Sequence, residues 1–389
     1  MSRWVTDASF RTEVCSESRA AGDGTQGPRR SLPRRATVLP AESIGGHGSG
    51  ASLDFDTGSS GKDTRMTSIS RIGAAEAAQA IEAMNRRDRA LDPQLPERGS
   101  GTAGELLAAE HDGAIRALGR STVEILSLDD AGAIWGAARR SQLELRWDGD
   151  AEAVDRLLAA WIAEAGPALA GVEPWDSSLS LRAPSRDSEL ARPLLSHGFA
   201  VVGVEGIRIG ARGADADAAL GRLRAAGVSV RPAEPADLDL LAELDTELLT
   251  HDAQHGGVTP RPGATAILRD GIAERLAADP EWTWILEQDG AAAGYLSIET
   301  GKERHRERLA PGGSIAFIQA MYLRPSVRGG GLGEAVVEFG HGRLEAAGFD
   351  RILLDYAALN PRSGPFWCRM GYRPLWNTWQ RRPAALAGA

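Results

Sequence analysis

The sequence predicts a mixed α/β (α+β) fold made of two similar halves, each with a mostly antiparallel central sheet flanked by helices. The first observation behind this prediction is a strand-like run at residues 315–318, which a glycine-rich turn joins to a helix-like run at 332–347. The second is that short apolar runs alternate with longer helix-like runs on both sides of this turn. The third is that the same order of runs occurs twice, at an offset of about 173 residues.

The second half of the chain carries the clearest succession of elements. A hairpin is predicted within it, because Asp289-Gly290 lies between two apolar runs and tolerates positive φ angles. Gly348 predicts the end of the helix that follows the glycine-rich turn. The predicted strands and helices lie, in order, at residues 228–233, 238–250, 264–278, 282–287, 292–298, 315–323, 332–347 and 351–356.

The middle of the chain repeats the end of this succession. Residues 142–146 correspond to the strand before the turn, and residues 151–165, helical by periodicity, correspond to the helix after it. Residues 178–181 correspond to the next strand, and Ser196-His197-Gly198-Phe199 falls on Arg369-Met370-Gly371-Tyr372. An unrelated α/β domain with chance similarity is the alternative interpretation of the middle region.

Composition shifts predict the limits of the domains. The first part is rich in Gly, Ser, Pro and Arg with few apolar residues, which predicts disorder, and Met66 is an alternative start of translation. A helix at 74–90 is followed by a Pro- and Gly-containing linker. The predicted limits are 1–68 for the tail, 69–104 for the helix and linker, 105–212 for the first half, 213–227 for a linking helix and 228–385 for the second half.

Charge, hydropathy and cysteine content narrow the functional classes. The chain has 389 residues and a formal net charge of −9, which argues against non-specific nucleic-acid binding. No run of eighteen apolar residues is present, so we expect no membrane span. The two cysteines, Cys15 and Cys368, do not form a disulfide framework, and we expect a cytoplasmic protein. The sequence leaves the oligomeric state open.

The glycine-rich turn predicts a phosphate-binding site. Glycines let the backbone approach a ligand closely, the start of the following helix offers free N–H groups, and Arg328 adds a positive charge. A Walker loop requires Lys and then Ser or Thr after the last glycine, whereas Gly333 is followed by Glu334. The glycine spacing and the position late in the chain also differ from a dinucleotide-binding loop.

The turn resembles the Arg/Gln-x-x-Gly-x-Gly/Ala signature of the GCN5-related N-acetyltransferase (GNAT) family, with Arg328, Gly331 and Gly333 in the fixed positions. Downstream, a strand, Asn360, a short helix with aromatic residues and Gly371-Tyr372 follow in the order typical of the family. The resemblance covers residues 228–382 and implies acyl transfer from acetyl-CoA. It implies contacts with acetyl-CoA at Met321, Tyr322, Leu323, Arg328, Gly329, Gly330, Gly331, Leu332, Gly333, Asn360, Ser363 and Phe366.

The first half lacks this turn. In its place stands the short acidic segment Trp147-Asp148-Gly149-Asp150, whose charge would repel a pyrophosphate. We therefore interpret the first half as a degenerate copy of the family's fold that does not bind the cofactor.

The acid and base of the reaction are not fixed by the sequence. Many family members have a Glu on the strand before the turn and a Tyr before the final glycine, and this chain has Gln319 and Trp367 there. The remaining candidates for acid–base catalysis are Glu299, Asp355, Tyr356 and Tyr372. His251 and His255 have helical metal-ligand spacing, but no His-Glu-x-x-His pattern occurs, and we predict no metal site. They could instead line the acceptor pocket.

Two functions fit these observations. One is an N-acetyltransferase that acts on the primary amine of a small molecule, peptide or protein, and the intact turn favours it. The other is a non-catalytic acyl-CoA-binding regulatory or scaffold protein, which Gln319, Trp367 and the degenerate first half favour. Acidic residues of the first helix after residue 228 (Glu243, Asp245, Glu247 and Asp252) could favour a cationic substrate, although a solvated helix face explains them equally well.

Overall fold

The computed structural model describes residues 37–39, 67–99, 105–301 and 309–385. The predicted N-terminal tail and the charge run at 302–308 lie almost wholly outside these residues. Within them the chain forms two compact units. Unit 1 contains residues 128–136 and 202–377, and unit 2 contains residues 37–39, 67–127, 137–201 and 378–385.

The secondary structure is mixed, as the sequence predicts. The strands are β1 Thr37–Leu39, β2 Ser68–Ile72, β3 Leu106–His111, β4 Ala114–Ile125, β5 Arg139–Trp147, β6 Ser177–Pro184, β7 Ala200–Ile209, β8 Val228–Pro232, β9 Thr283–Gln288, β10 Ala291–Glu299, β11 Ile315–Leu323, β12 Arg351–Ala357 and β13 Arg373–Arg381. The α-helices are α1 Ala74–Leu91, α2 Ala151–Leu169, α3 Ala191–Ser196, α4 Ala216–Ala225, α5 Leu238–Ala253, α6 Ala264–Ala278, α7 Leu332–Ala346 and α8 Ser363–Arg369.

The sheet of unit 1 has the strand order β7-β12-β11-β10-β9-β8. All neighbours are antiparallel except β11 and β12, which run parallel because α7 crosses over between them. The β9–β10 hairpin turns at Asp289 and Gly290, whose φ angles are 52° and 76°. This confirms the predicted hairpin, since positive φ at both central positions is the geometry of a tight two-residue turn.

The helices of unit 1 cover a core of apolar side chains from both the helices and the sheet. Its centre includes Leu241 and Leu244 of α5, Ile272 of α6, and Ile285 and Tyr295 of the hairpin. A second cluster joins α5 and α6 to Ile134, in a short 3₁₀ segment at Ala131–Trp135.

In unit 2, the strand order is β2-β3-β4-β5-β6-β13, with β1 paired to β4. Here, too, two strands run parallel, β5 and β6, and a crossover helix, α2, connects them. The core of this unit packs Leu157 and Trp161 of α2 against sheet residues such as Leu143 and Leu179.

The two repeats match down to individual hydrogen bonds. The N–H of Phe199 donates to the Leu194 carbonyl at 3.0 Å, and the N–H of Tyr372 donates to the Trp367 carbonyl at 3.0 Å. The glycine before each aromatic has a positive φ, 78° at Gly198 and 90° at Gly371. These equivalences confirm the predicted tandem fold.

The final strands are distributed in a way that the sequence repeat does not indicate. β7 ends the first repeat, yet its residues from Val202 onward belong to unit 1, where β7 pairs with β12. β13 begins in unit 1, where Arg373 lies against Gly206, and ends in unit 2, where it neighbours β6. The predicted domain limits stay predictions. They are continuous ranges of the sequence, whereas each compact unit combines segments from different parts of the chain.

No helix in the described part of the chain combines the length and the apolar character that a bilayer crossing requires.

Candidate functional site

A cleft of about 470 Å³ opens in unit 1 between the ends of β11 and β12. The lining comes from three sources, which are the end of β11 with the turn after it, the segment from Asn360 into α8, and α5. The lining residues are Leu248, His251, Met321, Tyr322, Leu323, Arg328, Gly329, Gly331, Gly333, Glu334, Asn360, Pro361, Arg362, Pro365, Phe366 and Arg369.

The cleft exists because two parallel strands separate. β11 pairs with β12 only as far as Ile318, opposite Leu354, although β11 continues to Leu323. On its other side, β11 has a bulge at Gln319, since Ser297 faces Ala320 and Ile298 faces Ile318. A bulge bends a strand and increases its local twist, which turns the end of β11 away from β12.

The separated part of β11 offers main-chain groups to the cleft. The N–H of Arg324 donates to the Ala293 carbonyl at 2.8 Å, so main-chain groups at this position face β10. Because these groups alternate in direction along a strand, those of Met321 and Leu323 face the opposite side, toward the gap left by β12. An extended amide-containing ligand could bond to them there.

The glycine-rich turn closes one end of the cleft. Gly329, Gly330 and Gly331 have φ angles of 103°, 59° and 79°, which only glycine adopts readily. A Cβ atom placed on any of them would have no atom within 4 Å, so the space around the turn is open. Gly331 is the N-cap of α7, and no side chain caps this helix. The first main-chain bond within the helix starts at the N–H of Ala335, so the amides of Gly333 and Glu334 are left for a ligand.

Arg328 is held at the entrance to the turn. Its Nε donates to the Leu323 carbonyl at 2.8 Å, and its guanidinium lies 5.4 Å from the centre of the Tyr322 ring. These contacts fix the side chain and leave its terminal nitrogens without a hydrogen-bond partner among the described residues. The positive charge and the uncapped helix start therefore act on the same end of the cleft.

Two further features concern the room and the free hydrogen-bond donors of the cleft. A Cβ at Gly333 would stand 3.4 Å from both Met321 Cε and Phe366 Cε2, which means that the glycine keeps the cleft open. Asn360 is 3 % exposed, and its Oδ1 accepts a hydrogen bond from the N–H of Arg362 at 3.0 Å. Its Nδ2 donor has no partner in the described structure and is available to a carbonyl oxygen.

The structure brings together nine of the twelve residues that the resemblance assigns to acetyl-CoA. Gly330 and Leu332 belong to the turn without lining the cleft, and Ser363 is fully buried beside it. Sequence reasoning missed Arg362 and Arg369, which also line the cleft. The positive charges of these two arginines at the two ends of α8 were the signal in the sequence that could have indicated them. The assignment of these residues to a cofactor stays a prediction.

None of the four acid–base candidates lines the cleft. Glu299 pairs with Phe317 at the far end of β10, and Asp355 is buried in β12 opposite Glu205. Tyr356 is buried as well, and burial raises its pKa to about 12, with a smaller contribution from Cys368.

The fourth candidate, Tyr372, is enclosed in the core. Its hydroxyl lies 2.9 Å from Nε2 of His341, and burial raises its pKa. Trp367, at the position where the family often has a tyrosine, is 1 % exposed and makes edge-to-face contacts with Phe366 and Tyr372. Cys368 next to it is exposed and carries a free thiol.

His251 is the one imidazole in the lining. Burial lowers its pKa, and the positive charge of Arg328 lowers it further, so the ring is neutral at pH 7. Its ring centre lies 5.3 Å from that of His255 in an edge-to-face contact. Among the described residues, no group of three or more His, Cys, Asp or Glu side chains has the arrangement of a metal site.

The four acidic residues of α5 that could favour a cationic substrate divide into two pairs. Glu243 and Glu247 both bind the guanidinium of Arg324, at 2.5 and 2.8 Å, so a cationic substrate would have to compete with it. Asp245 and Asp252 are 5 % and 3 % exposed, so the solvated helix face that would explain them is excluded.

The corresponding region of unit 2 is closed by its own side chains. The Asp150 carboxylate accepts from the N–H groups of Glu152 and Ala153, so it occupies the start of α2. Asp148 pairs with Arg116 at 2.9 Å, and the guanidinium of Arg87 lies 4.3 Å from the centre of the Trp147 ring. The donors that α7 leaves free are already used in α2.

Residues 250–372 match the model of the acetyltransferase (GNAT) family. Three solved structures are similar to this chain. A GCN5-related N-acetyltransferase from Sphaerobacter thermophilus is 13 % identical, with 82 % of this chain and 96 % of that chain covered and a TM-score of 0.49. A tandem GNAT protein from the clavulanic acid biosynthesis pathway is 13 % identical (83 % and 100 % covered, TM-score 0.44), and a predicted acetyltransferase with acetyl-CoA from Clostridium acetobutylicum is 18 % identical (38 % and 90 % covered, TM-score 0.30). No curated protein matches the sequence of this chain.

Proposed function

Because residues 250–372 match the model of the GNAT family, we propose that this protein transfers an acetyl group from acetyl-CoA to a primary amine. The acceptor is the amine of a small molecule or of a peptide. Acetyl-CoA supplies a thioester, whose carbonyl carbon is attacked by the amine and whose thiolate leaves.

The observation that carries this proposal is the contrast between the two helix starts. In α2 the Asp150 side chain satisfies the first amides, and in α7 the equivalent amides face a cleft beside Arg328. The first amides of α7 are open to the cleft, and a negatively charged group placed there gains from both the amides and the helix dipole. The pyrophosphate of acetyl-CoA is such a group.

The other residues of the cleft follow from this placement. With the pyrophosphate at the turn, the pantetheine arm lies along the separated end of β11, where the main chain of Met321 and Leu323 can bond to its amides. Asn360 donates from Nδ2 on the opposite wall. The thioester then lies near the bulge at Gln319, where a main-chain N–H can stabilise the oxyanion of the tetrahedral intermediate. Positioning the two reactants accounts for much of the expected rate.

Two observations favour a second function, which is the binding of acyl-CoA for regulation without catalysis. Gln319 replaces the usual base, and none of the four titratable candidates that the sequence offers lines the cleft. A protein that binds acyl-CoA for regulation would need the turn and no proton acceptor. The two functions share a cofactor site and differ in whether thiol is released.

The test is calorimetric titration with acetyl-CoA, followed by thiol release in the presence of a panel of primary amines. Binding together with amine-dependent thiol release supports the acetyltransferase. Binding without release by any amine supports the regulatory protein, and no binding contradicts both. The variant Arg269→Gln, which removes a surface charge paired with Asp239, is the control for general charge effects.

A further inference from the structure

A small cavity lies at the bulge of β11 and adjoins the cofactor cleft, because Leu248 lines both. Its volume is about 10 Å³, enough for one group of the size of a water molecule. It is lined by Trp135, Asp245, Leu248, Leu249, Asp252, Arg275, Gln319 and Ala320.

The charges around this cavity do not balance. Asp245 Oδ1 accepts the hydroxyl of Tyr295 at 2.6 Å, and its Oδ2 lies 3.9 Å from an Arg275 nitrogen. Asp252 is 3 % exposed, and its Oδ1 has no hydrogen-bond partner within the described residues. The cavity lining therefore holds two buried carboxylates and one guanidinium, which lies near Asp245. An uncompensated buried carboxylate is strongly unfavourable, so the site favours either a proton or a cation.

The cavity adjoins the reacting end of the cofactor cleft. Leu248 lines both spaces, and Gln319 is the bulge residue at which β11 leaves β12. Asp252 follows His251 directly in α5, so one helical turn contributes a residue to each space. A group in the cavity would therefore lie beside the place that the proposed function gives to the thioester.

We propose that this cavity receives the ammonium group of the acceptor amine and that Asp252 takes its proton. The inference rests on the proposed function and extends it to the acceptor. A primary ammonium group has the size of a water molecule and three donors, and its positive charge neutralises the site. A quaternary ammonium group is too large for the cavity and has no N–H to give to Asp252.

The proton steps balance as follows. The ammonium group transfers one proton to the Asp252 carboxylate and becomes a neutral amine. The amine nitrogen bonds to the thioester carbon, the carbon–sulfur bond breaks, and the second proton lost by nitrogen goes to the thiolate. The products are an acetamide and CoA thiol, and Asp252 returns its proton to solvent before the next turnover. Asp252 thus acts as the general base, a role that the neutral side chain of Gln319 cannot take.

The surroundings of Asp252 suit this role. Burial raises the pKa of Asp252, His255 just after the end of α5 opposes the rise, and the negative charge of Asp245 adds to it. The other charged and titratable groups that face the cavity region are Arg275 of α6 and the Tyr295 hydroxyl of β10. A carboxylate with a raised pKa is a better proton acceptor than an ordinary aspartate.

The test uses methylammonium as the probe and the full-length protein at pH 8. We expect 100 mM methylammonium chloride to raise the Tm of the wild type by roughly 3 °C relative to tetramethylammonium chloride, if the site binds at about 10 mM. The shift should be lost in Asp252→Asn and reduced in Asp245→Asn, where an amide oxygen can still accept the Tyr295 hydroxyl. Asp239→Asn, an exposed carboxylate on the same helix, should keep it.

Each result is decisive for the cavity. An equal shift in the wild type and both cavity variants would overturn the proposal, and so would no shift in the wild type. Acetyl-CoA titration of the same proteins shows whether each variant is folded and tests the cofactor site separately. A wild type that binds acetyl-CoA but does not respond to methylammonium would therefore contradict this inference and leave the proposed function standing.

Discussion

Replacing Gly333 with alanine should weaken the binding of acetyl-CoA without destabilising the protein. Gly333 is the second residue of α7, and its φ is not in the left-handed region, so alanine fits the backbone. The new Cβ would lie 3.4 Å from both Met321 Cε and Phe366 Cε2, which is ordinary van der Waals contact. The methyl group therefore occupies the cleft without forcing its walls apart.

The two effects should have opposite signs. Alanine favours a helix over glycine by up to about 1 kcal/mol, so the free energy of unfolding should stay constant or rise. A phosphate kept away from the first amides of α7 loses at least one hydrogen bond to a charged group, which costs about 1.5 to 3 kcal/mol. The Kd for acetyl-CoA should therefore increase roughly 10- to 100-fold.

The assay pairs calorimetric titration with urea unfolding of the same samples. Gly221→Ala is the matched control, because Gly221 lies within α4 and a Cβ there meets nothing within 4 Å. It should show the same gain in helix stability and no change in affinity. Unchanged affinity in Gly333→Ala would refute the placement of the pyrophosphate at this helix start, and a large loss of stability would refute the geometry itself.

Three other predictions concern charges at the two helix starts and near the end of α7. Arg328→Gln should weaken acetyl-CoA binding about 10-fold and reduce its dependence on salt, as measured by titration at two ionic strengths. Asp150→Ala should cost about 1 kcal/mol in urea unfolding, from the lost cap of α2, while calorimetry still finds a single acetyl-CoA site per chain. The third prediction concerns Glu345. Burial raises the pKa of its carboxyl group, but hydrogen bonds from Arg208 and from the N–H groups of Arg212 and Ala214 outweigh burial and hold this pKa below its ordinary value. The contribution of the Glu345 carboxylate is therefore present above its unfolded pKa and lost as pH falls through its folded pKa. Glu345→Gln should cost about 2 kcal/mol at pH 7 and progressively less as the pH is lowered, as followed by unfolding at a series of acidic pH values.

The local elements were predictable because their signals are local. Positive φ at Asp289 and Gly290, the apolar run of β11 and the glycines before α7 each act within a few residues. The repeat was visible for the same reason, since Gly198 and Gly371 end equivalent helices. The distribution of β7 and β13 was not predictable, because the partner of a strand depends on contacts between residues far apart in sequence.

The cofactor end of the site was more accessible to sequence reasoning than the acceptor end. Glycines and an arginine at fixed spacing identify a phosphate site from one short segment. The cavity near Asp252 is built from α5, α6, β11 and a residue of the 3₁₀ segment, Trp135, so no spacing in the sequence reveals it. The alternative interpretation of Asp252 as a solvated residue failed because helix periodicity does not show which face a neighbouring bulge covers.

The presence of glutamine rather than glutamate at position 319 does not by itself argue for a non-catalytic protein. A neutral Gln319 leaves the buried carboxylates of Asp245 and Asp252 with a single guanidinium, and a glutamate there would add a third negative charge to a cavity of about 10 Å³. Mutual repulsion would then keep at least one of the three protonated. The glutamine is thus the residue compatible with an ionised Asp252, and Gln319→Glu should lower the rate of amine-dependent thiol release rather than restore a missing base. An increase in that rate would show that the proton acceptor lies on β11 after all.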